Sequence, residues 1–243
     1  METSKLSFED ELAAIMRTVQ FASGEFFHIY DRGVDKRKVF MVPGDYERFL
    51  RSMEEFNDAN HSYSYSTLSN PRNPNNRPER KPLVRVLAYC LMPNHYHFFL
   101  EQLEENGITR FMHRLGTGYT KFFNIKYERT GRLFESTFKG IHIATDQYFF
   151  HLSRYIHLNP VDLLHHSSSS AEDFRNEIRP FLGAYPWSSL SQYLRLGFHG
   201  VVTVEPDRIL SHFSDPADYE RFLLDWSQNK HPVFKEISSA VKE

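Results

Sequence analysis

The chain carries one cysteine, Cys90, among its 243 residues. A single thiol excludes an internal disulfide and any zinc site built from several cysteines. Without such staples the expected compartment is the cytoplasm. Long apolar runs are missing as well. A membrane-spanning helix needs about eighteen consecutive apolar residues, and no stretch reaches that length, so no membrane partner is expected. The opening METSKLSFEDELAAIMRTVQ mixes acids among its apolar residues and lacks a signal-peptide core. Glycine is sparse, at 11 residues. No glycine-rich phosphate loop of the P-loop or Rossmann type occurs, nor does a Gly-x-Ser-x-Gly nucleophile elbow.

What is present describes an ordinary globular chain, 40% hydrophobic and 25% charged. The length suits one large domain, or one domain with an extension. The net charge of −2 argues weakly against a nucleic-acid partner, but it hides an asymmetry. Between Glu105 and Thr145 seven Lys or Arg face three acids, whereas Val201 to Glu243 holds five bases and eight acids. A basic middle with an acidic tail fits a protein with one face for an anionic ligand, and scattered surface charge fits the counts equally well.

Residues 7–22 read as a short amphipathic helix with Leu12, Ile15, Met16 and Val19 on one stripe. Phe26 to Tyr30 is strand-like and ends at Asp31-Arg32-Gly33. Tyr46, Phe49, Leu50, Met53 and Phe56 fall at helical spacing within 44–60. The segment 61–82 is rich in Ser, Asn, Pro and Arg and reads as an exposed polar insertion. VRVLAYCLMPNHYHFFLEQ gives two strands turning at Met92-Pro93-Asn94. A long helix is expected over 107–127, interrupted by Gly116 and Gly118, which suggests that something packs close to it. A strand over Gly140 to Ile143 follows, then a helix capped by Thr145 or Asp146 and stopped by Pro160. Strand, helix, strand, strand, helix, strand, helix is the layout of a split βαβ, ferredoxin-like α+β sheet. Residues 165–180 look like a linker, and the rest like a small helical C-terminal extension. The hexapeptide DYERFL occurs at Asp45 and again at Asp218, as acidic helix starts would.

Three groups of residues can do chemistry. In His95-Tyr96-His97, strand alternation puts both imidazoles on one face, about 7 Å apart along the strand. Such a pair can hold one divalent metal, or it can simply be two half-exposed histidines on a sheet. On the later helix, Tyr148, His151, Tyr155 and Asn159 share one stripe. A phenol titrating near pH 10 is a poor nucleophile. Beside a metal that polarises a phosphodiester it becomes a good one, and an amide oxygen of Asn159 can be a third, hard ligand. The plainer reading is that this stripe packs on the sheet. Third, Arg32, Lys36, Arg37 and Lys38, with Arg110, Arg114, Lys121, Arg132 and Lys139, can make a phosphate-binding surface interleaved with aromatics. Solvated charge on a helix face is the alternative.

Taken in order, HIYDRGVDKRKVF, LAYCLMPNHYHFFLE, GRLFESTFKG, YIHLNPV and YPWSS resemble the REP-associated tyrosine transposases. These belong to the HUH class of single-strand endonucleases and transposases. The resemblance covers roughly residues 24–200, and MPNHYH with RYIHLNPV at this separation is its most specific part. It implies an HUH transposase domain over 24–165, with an N-terminal helix over 1–23 and a linker and extension over 166–243. It further implies a Mg²⁺ or Mn²⁺ ion on His95 and His97, with Asn159 completing the metal site and Tyr155 as the single catalytic tyrosine. The implied reaction nicks and rejoins single-stranded DNA beside palindromic hairpins through a 5′-phosphotyrosine. The partner is therefore hairpin or single-stranded DNA, contacted by the basic loops and by Trp187 of the extension, with a monomer favoured over a homodimer. The chain departs from the family in the length of 61–82, in its N-terminal helix, in Asp162-Leu163-Leu164 after YIHLNPV, and in Glu135 where relatives often have an uncharged amide. Those departures bear on DNA specificity more than on catalysis. Two other readings compete: a domesticated DNA-binding protein that no longer cuts, and an RNA-binding module on the same kind of sheet.

Overall fold

The computed structural model describes residues 19–60, 80–164, 171–196 and 200–225. Four strands build one sheet: β1 (Phe26–Arg32), β2 (Val84–Met92), β3 (His95–Gln102) and β4 (Lys139–His142). Their spatial order is β2-β3-β1-β4, and every neighbouring pair is antiparallel. Helix α1 (Pro43–Phe56) lies between β1 and β2 in sequence, and α2 (Gly107–Lys126) between β3 and β4. Helix α3 (Asp146–Leu158) runs into a 3₁₀ turn over Asn159–Leu163, with Pro160 in its first turn. The fold is thus a mixed α+β architecture on an antiparallel sheet. Among the described residues no helix is long and apolar enough to cross a membrane.

Strand alternation divides the core into two layers. Phe27, Ile29, Tyr96, Phe98 and Leu100 face α1 and α2, where Phe49, Met53, Phe111, Leu115 and Tyr119 bury against them. Ala88, Cys90 and Phe99 face the other way, against Leu152, Tyr155 and Ile156 of α3. The cross-strand pairs Tyr30↔His97 and Arg32↔His95 belong to this second face, as does Lys139 opposite Tyr30. One interior glycine of α2 is there for packing: a Cβ on Gly118 would lie 2.9 Å from the ring of Phe56, whereas one on Gly116 would meet nothing within 4 Å.

The polar insertion is tied down at its end. Asn57 Oδ1 accepts from the N–H groups of Leu83 and Val84, each at 2.9 Å. Arg80 pairs with Glu54 and Glu55 of α1. The expected helix over 7–22 lies outside the described residues up to 18, and residues 19–22 are not helical. There Phe21 packs edge-on to Phe27, with ring centroids 4.9 Å apart, and Gln102 Nε2 donates to its carbonyl.

The linker expected over 165–180 is corrected from residue 171 onward, where α4 (Ala171–Ala184) forms. Its polar composition hid the i, i+4 pair Ile178 and Leu182, both buried. Helices α5 (Leu190–Tyr193), α6 (Asp207–Leu210) and α7 (Pro216–Leu224) follow among the described residues of the extension. It extends the sheet layer: Trp187 O accepts from Leu91 N at 2.9 Å and Ser189 N donates to Tyr89 O at 3.0 Å, beside β2. Tyr193 Oη donates to the carbonyl of Leu87, where the β2–β3 register slips between Val86 and Ala88. Both copies of DYERFL start helices in the same way. Asp45 Oδ2 accepts from Met41 N at 2.8 Å and Asp218 Oδ2 from Ser214 N at 3.0 Å, each four residues back.

Candidate active site

The residues that the sequence sets far apart meet on the α3 face of the sheet. His95 and His97 come from the start of β3, directly after the tight turn at Pro93 and Asn94, and their ring centroids are 5.0 Å apart. Helix α3 is capped by Thr145, whose Oγ1 accepts from Tyr148 N at 3.2 Å. Two turns later the helix brings Tyr155 edge-on to His97, with ring centroids 5.2 Å apart. One turn further on, Asn159 closes the group. Its Oδ1 lies 3.4 Å from His95 Nε2, and its Nδ2 donates to Tyr155 O at 2.8 Å. Two imidazoles, one amide and one phenol therefore converge within a single chain.

Burial sets the protonation states. Desolvation pushes His95 down to about 4, with the Arg32 charge adding to the effect and Asn159 opposing it. His97, fully enclosed, is held well below the usual histidine range by burial first and by His95 and His28 next. Both are neutral at physiological pH, the form in which imidazole ligates a metal. Burial raises the Tyr155 phenol above the ordinary tyrosine range; Asp162 reinforces this and the Asn159 hydrogen bond works against it.

Among the described residues no group of three or more His, Cys, Asp or Glu is arranged to hold a metal ion. The donors that do converge still fit one. His97 Nε2 is buried and has no hydrogen-bond partner among the described residues, and His95 Nε2 faces the amide oxygen of Asn159. Two imidazole nitrogens and one amide oxygen are donor types that a divalent cation accepts.

A third histidine belongs to this cluster and was missed from the sequence. His28 on β1 is fully buried, and its Nε2 lies 3.0 Å from His97 Nδ1. Its ring centroid is 5.9 Å from that of Tyr155. FFHIYDR carries His28 and Tyr30 two residues apart, the same alternation that singled out His95 and His97, and that spacing was the available signal.

The structure divides the basic residues. Arg32 stands beside His95 on the α3 face and forks onto Glu135, at 3.0 Å from Nε and 3.2 Å from Nη2. Glu135 is therefore paired. Lys139 Nζ lies 6.0 Å above the Tyr30 ring on the same face. Arg132 lines a hollow of about 670 Å³ with Val34, Asp35, Lys36 and Glu135. Arg37 is spent on the backbone of Val34 and on Asp35. Arg110, Arg114 and Lys121 do not join the site, because α2 covers the opposite face of the sheet. Arg110 and Arg114 donate to carbonyls at the end of α1, Ala59 and Asp58, at 3.1 and 2.7 Å. Trp187 stacks on Tyr46, with centroids 4.5 Å apart, and covers the α1 layer.

Asp31, on the far face of β1, is buried with one carboxylate oxygen unpartnered among the described residues. Burial lifts it from 3.8 to about 6, against hydrogen bonds from Arg32 N and Ser136. Between those values the folded state holds a proton that the unfolded state has released. Its contribution is therefore favourable in acid and is lost as the pH rises through about 6. Asp31→Asn is expected to be more stable than the parent at pH 7.5 by about 1–2 kcal/mol, an advantage that shrinks as the pH falls below about 6. Urea unfolding at several pH values checks it, and parallel profiles for the two proteins would refute it.

No protein-family model matches the chain, and no curated protein matches it. Among solved structures it is similar to one described as "Structure of the REP associates tyrosine transposase bound to a REP hairpin". The two are 11% identical with a TM-score of 0.45, over 78% of this chain and 91% of that one. A likeness at this level carries no side-chain correspondence, so the site stands on its own geometry.

Proposed function

We propose that the protein is a metal-dependent tyrosine transposase or endonuclease that nicks and rejoins single-stranded DNA beside palindromic hairpins. The observation that carries this reading is the convergence of Tyr155, His95, His97 and Asn159 from β3 and α3, with the Tyr155 ring packed on His97 and the Asn159 amide oxygen facing His95. The element order and the sheet order β2-β3-β1-β4 support a ferredoxin-like core of the HUH type. The motif resemblance supports the substrate class.

In this reading the Tyr155 oxygen attacks the scissile phosphorus in line. The O–P bond to the upstream 3′-oxygen breaks, that oxygen takes up a proton, and the phenol proton is lost to solvent. The products are a free 3′-OH and a 5′-phosphotyrosine. A second 3′-OH reverses the step and joins strands, and because the covalent link keeps the phosphodiester energy no nucleotide cofactor is required. When bound by His95, His97 and Asn159, a divalent cation supplies the positive charge that favours the phenolate and polarises the phosphate. Arg32, Arg132 and Lys139 flank the site and position the DNA backbone. All four central groups belong to one chain, which supports action as a monomer.

The test is an oligonucleotide hairpin with single-stranded flanks, labelled at its 3′ end and incubated with the full chain. A labelled, denaturant-resistant protein–DNA adduct is expected with Mn²⁺ or Mg²⁺ and is expected to disappear with EDTA. Specific hairpin binding with no adduct under any divalent cation would replace this reading with that of a DNA-binding protein.

A further inference from the structure

Strand register makes His28 a diagonal neighbour of His97. The direct pairs are Tyr30↔His97 and His28↔Phe99, and all four side chains lie on the α3 face. The two imidazoles are 5.2 Å apart between centroids, and a single hydrogen bond of 3.0 Å joins His28 Nε2 to His97 Nδ1. Each ring then has one nitrogen left. His28 Nδ1 and His97 Nε2 are both buried and unpartnered among the described residues. One proton lies between the rings, and its owner decides what His97 presents to the site. If His28 donates, His97 accepts at Nδ1, carries its single ring proton on Nε2 and offers no lone pair there. If His97 donates through Nδ1, the Nε2 lone pair is free to ligate.

Resting on the metal-site reading above, we propose that His28 is a positioning residue. It accepts the Nδ1–H of His97 and so holds His97 in the tautomer whose Nε2 can bind a cation. The two arrangements cost the empty protein alike, since each leaves one buried N–H without a partner. A cation at His97 Nε2 breaks that balance in favour of the ligating tautomer. A hydrogen-bonded partner behind a metal-binding histidine fixes its orientation and strengthens it as a donor, and losing one typically lowers metal affinity about 10–100-fold.

The test uses the full chain with ¹⁵N-labelled histidine. Ring ¹⁵N spectra of the Mg²⁺-loaded wild type are expected to show His97 protonated at Nδ1 only. Mn²⁺ affinity by electron paramagnetic resonance is expected to fall about 10–100-fold in His28→Phe. It should largely return in His28→Gln, whose amide oxygen can accept the same hydrogen bond. His97 protonated at Nε2 in the loaded protein would overturn the proposal. So would His28→Phe binding Mn²⁺ like the wild type while His97→Ala loses it, and that result leaves the metal site itself standing. Unchanged Mn²⁺ affinity in both His95→Ala and His97→Ala removes the metal site instead, and this role of His28 with it. The wild-type spectra need no variant to fold, and His28→Gln covers the case in which His28→Phe does not.

Discussion

Tyr155→Phe is expected to lower adduct formation by at least ~10³-fold, since removal of a nucleophile abolishes the covalent route and leaves no alternative one. Hairpin binding should survive. The missing oxygen is a single atom on a ring that packs edge-on to His97 and His28, and Phe keeps that packing. The Arg and Lys side chains that flank the site are untouched. Asn159 also keeps its Nδ2 bond to the carbonyl of residue 155, so the end of α3 is held as before. Denaturing gels with 3′-labelled DNA measure the adduct, and anisotropy titration measures binding. A persisting adduct would take Tyr155 out of the mechanism. Loss of binding along with the adduct would mean that the variant reports on structure rather than on chemistry.

Replacement of His157 by leucine is expected to cost the fold about 3–5 kcal/mol, the penalty of two buried partners left unsatisfied together with imperfect packing. His157 is fully buried on the side of α3 away from the sheet residues of the site, and burial holds it neutral, down to about 3. Its ring nitrogens lie 2.8 Å from Tyr219 Oη of α7 and 2.8 Å from Ser189 Oγ beside β2. One consistent assignment of protons runs through the network. Tyr89 N donates to Ser189 Oγ, which donates to His157 Nε2. His157 Nδ1 donates to Tyr219 Oη, which donates to Ser153 Oγ, and Ser153 donates to Phe150 O. Arg154 adds a second tie, with its guanidinium 3.6 Å over the Phe222 ring and bonded to the Phe222 carbonyl. The extension thus grips the helix that carries Tyr155. Guanidinium unfolding of His157→Leu checks the cost, and a loss under about 1 kcal/mol would show that the network contributes little.

Much of the fold was legible because local rules and the packed structure agree. Apolar spacing gave α1, and its observed end at Phe56 falls short of the expected one because Asn57 turns to cap the start of β2. The Pro93-Asn94 turn fixed β2 and β3, and alternation along β3 put His95 and His97 on one face with Tyr96 and Phe98 on the other. The four-residue spacing of Tyr155 and Asn159 likewise survives folding. The basic stripe of α2 was legible as a stripe but not as a location. Periodicity states which residues share a helix face and is silent on which side of the sheet that helix packs, so Arg110, Arg114 and Lys121 were grouped with residues they do not approach. Helix α3 shows the same limit. Its sequence displays one apolar stripe, yet Ser153, Arg154 and His157 are buried too, because α7 covers them.

The sequence by itself determined the four strands, the three helices that pack on them, their order, and the pairing of His95 with His97 and of Tyr155 with Asn159, because these follow from backbone propensity and from periods of 2 and 3.6 residues along one strand or helix. Tertiary structure alone decided that His28 stands behind His97, that Arg32 is spent partly on Glu135, and that the C-terminal helices hold the helix of Tyr155. Those are contacts between segments 69 to 103 residues apart, or between α3 and a cover some 60 residues downstream. No local pattern encodes them; the register of the sheet and the burial of two polar networks do.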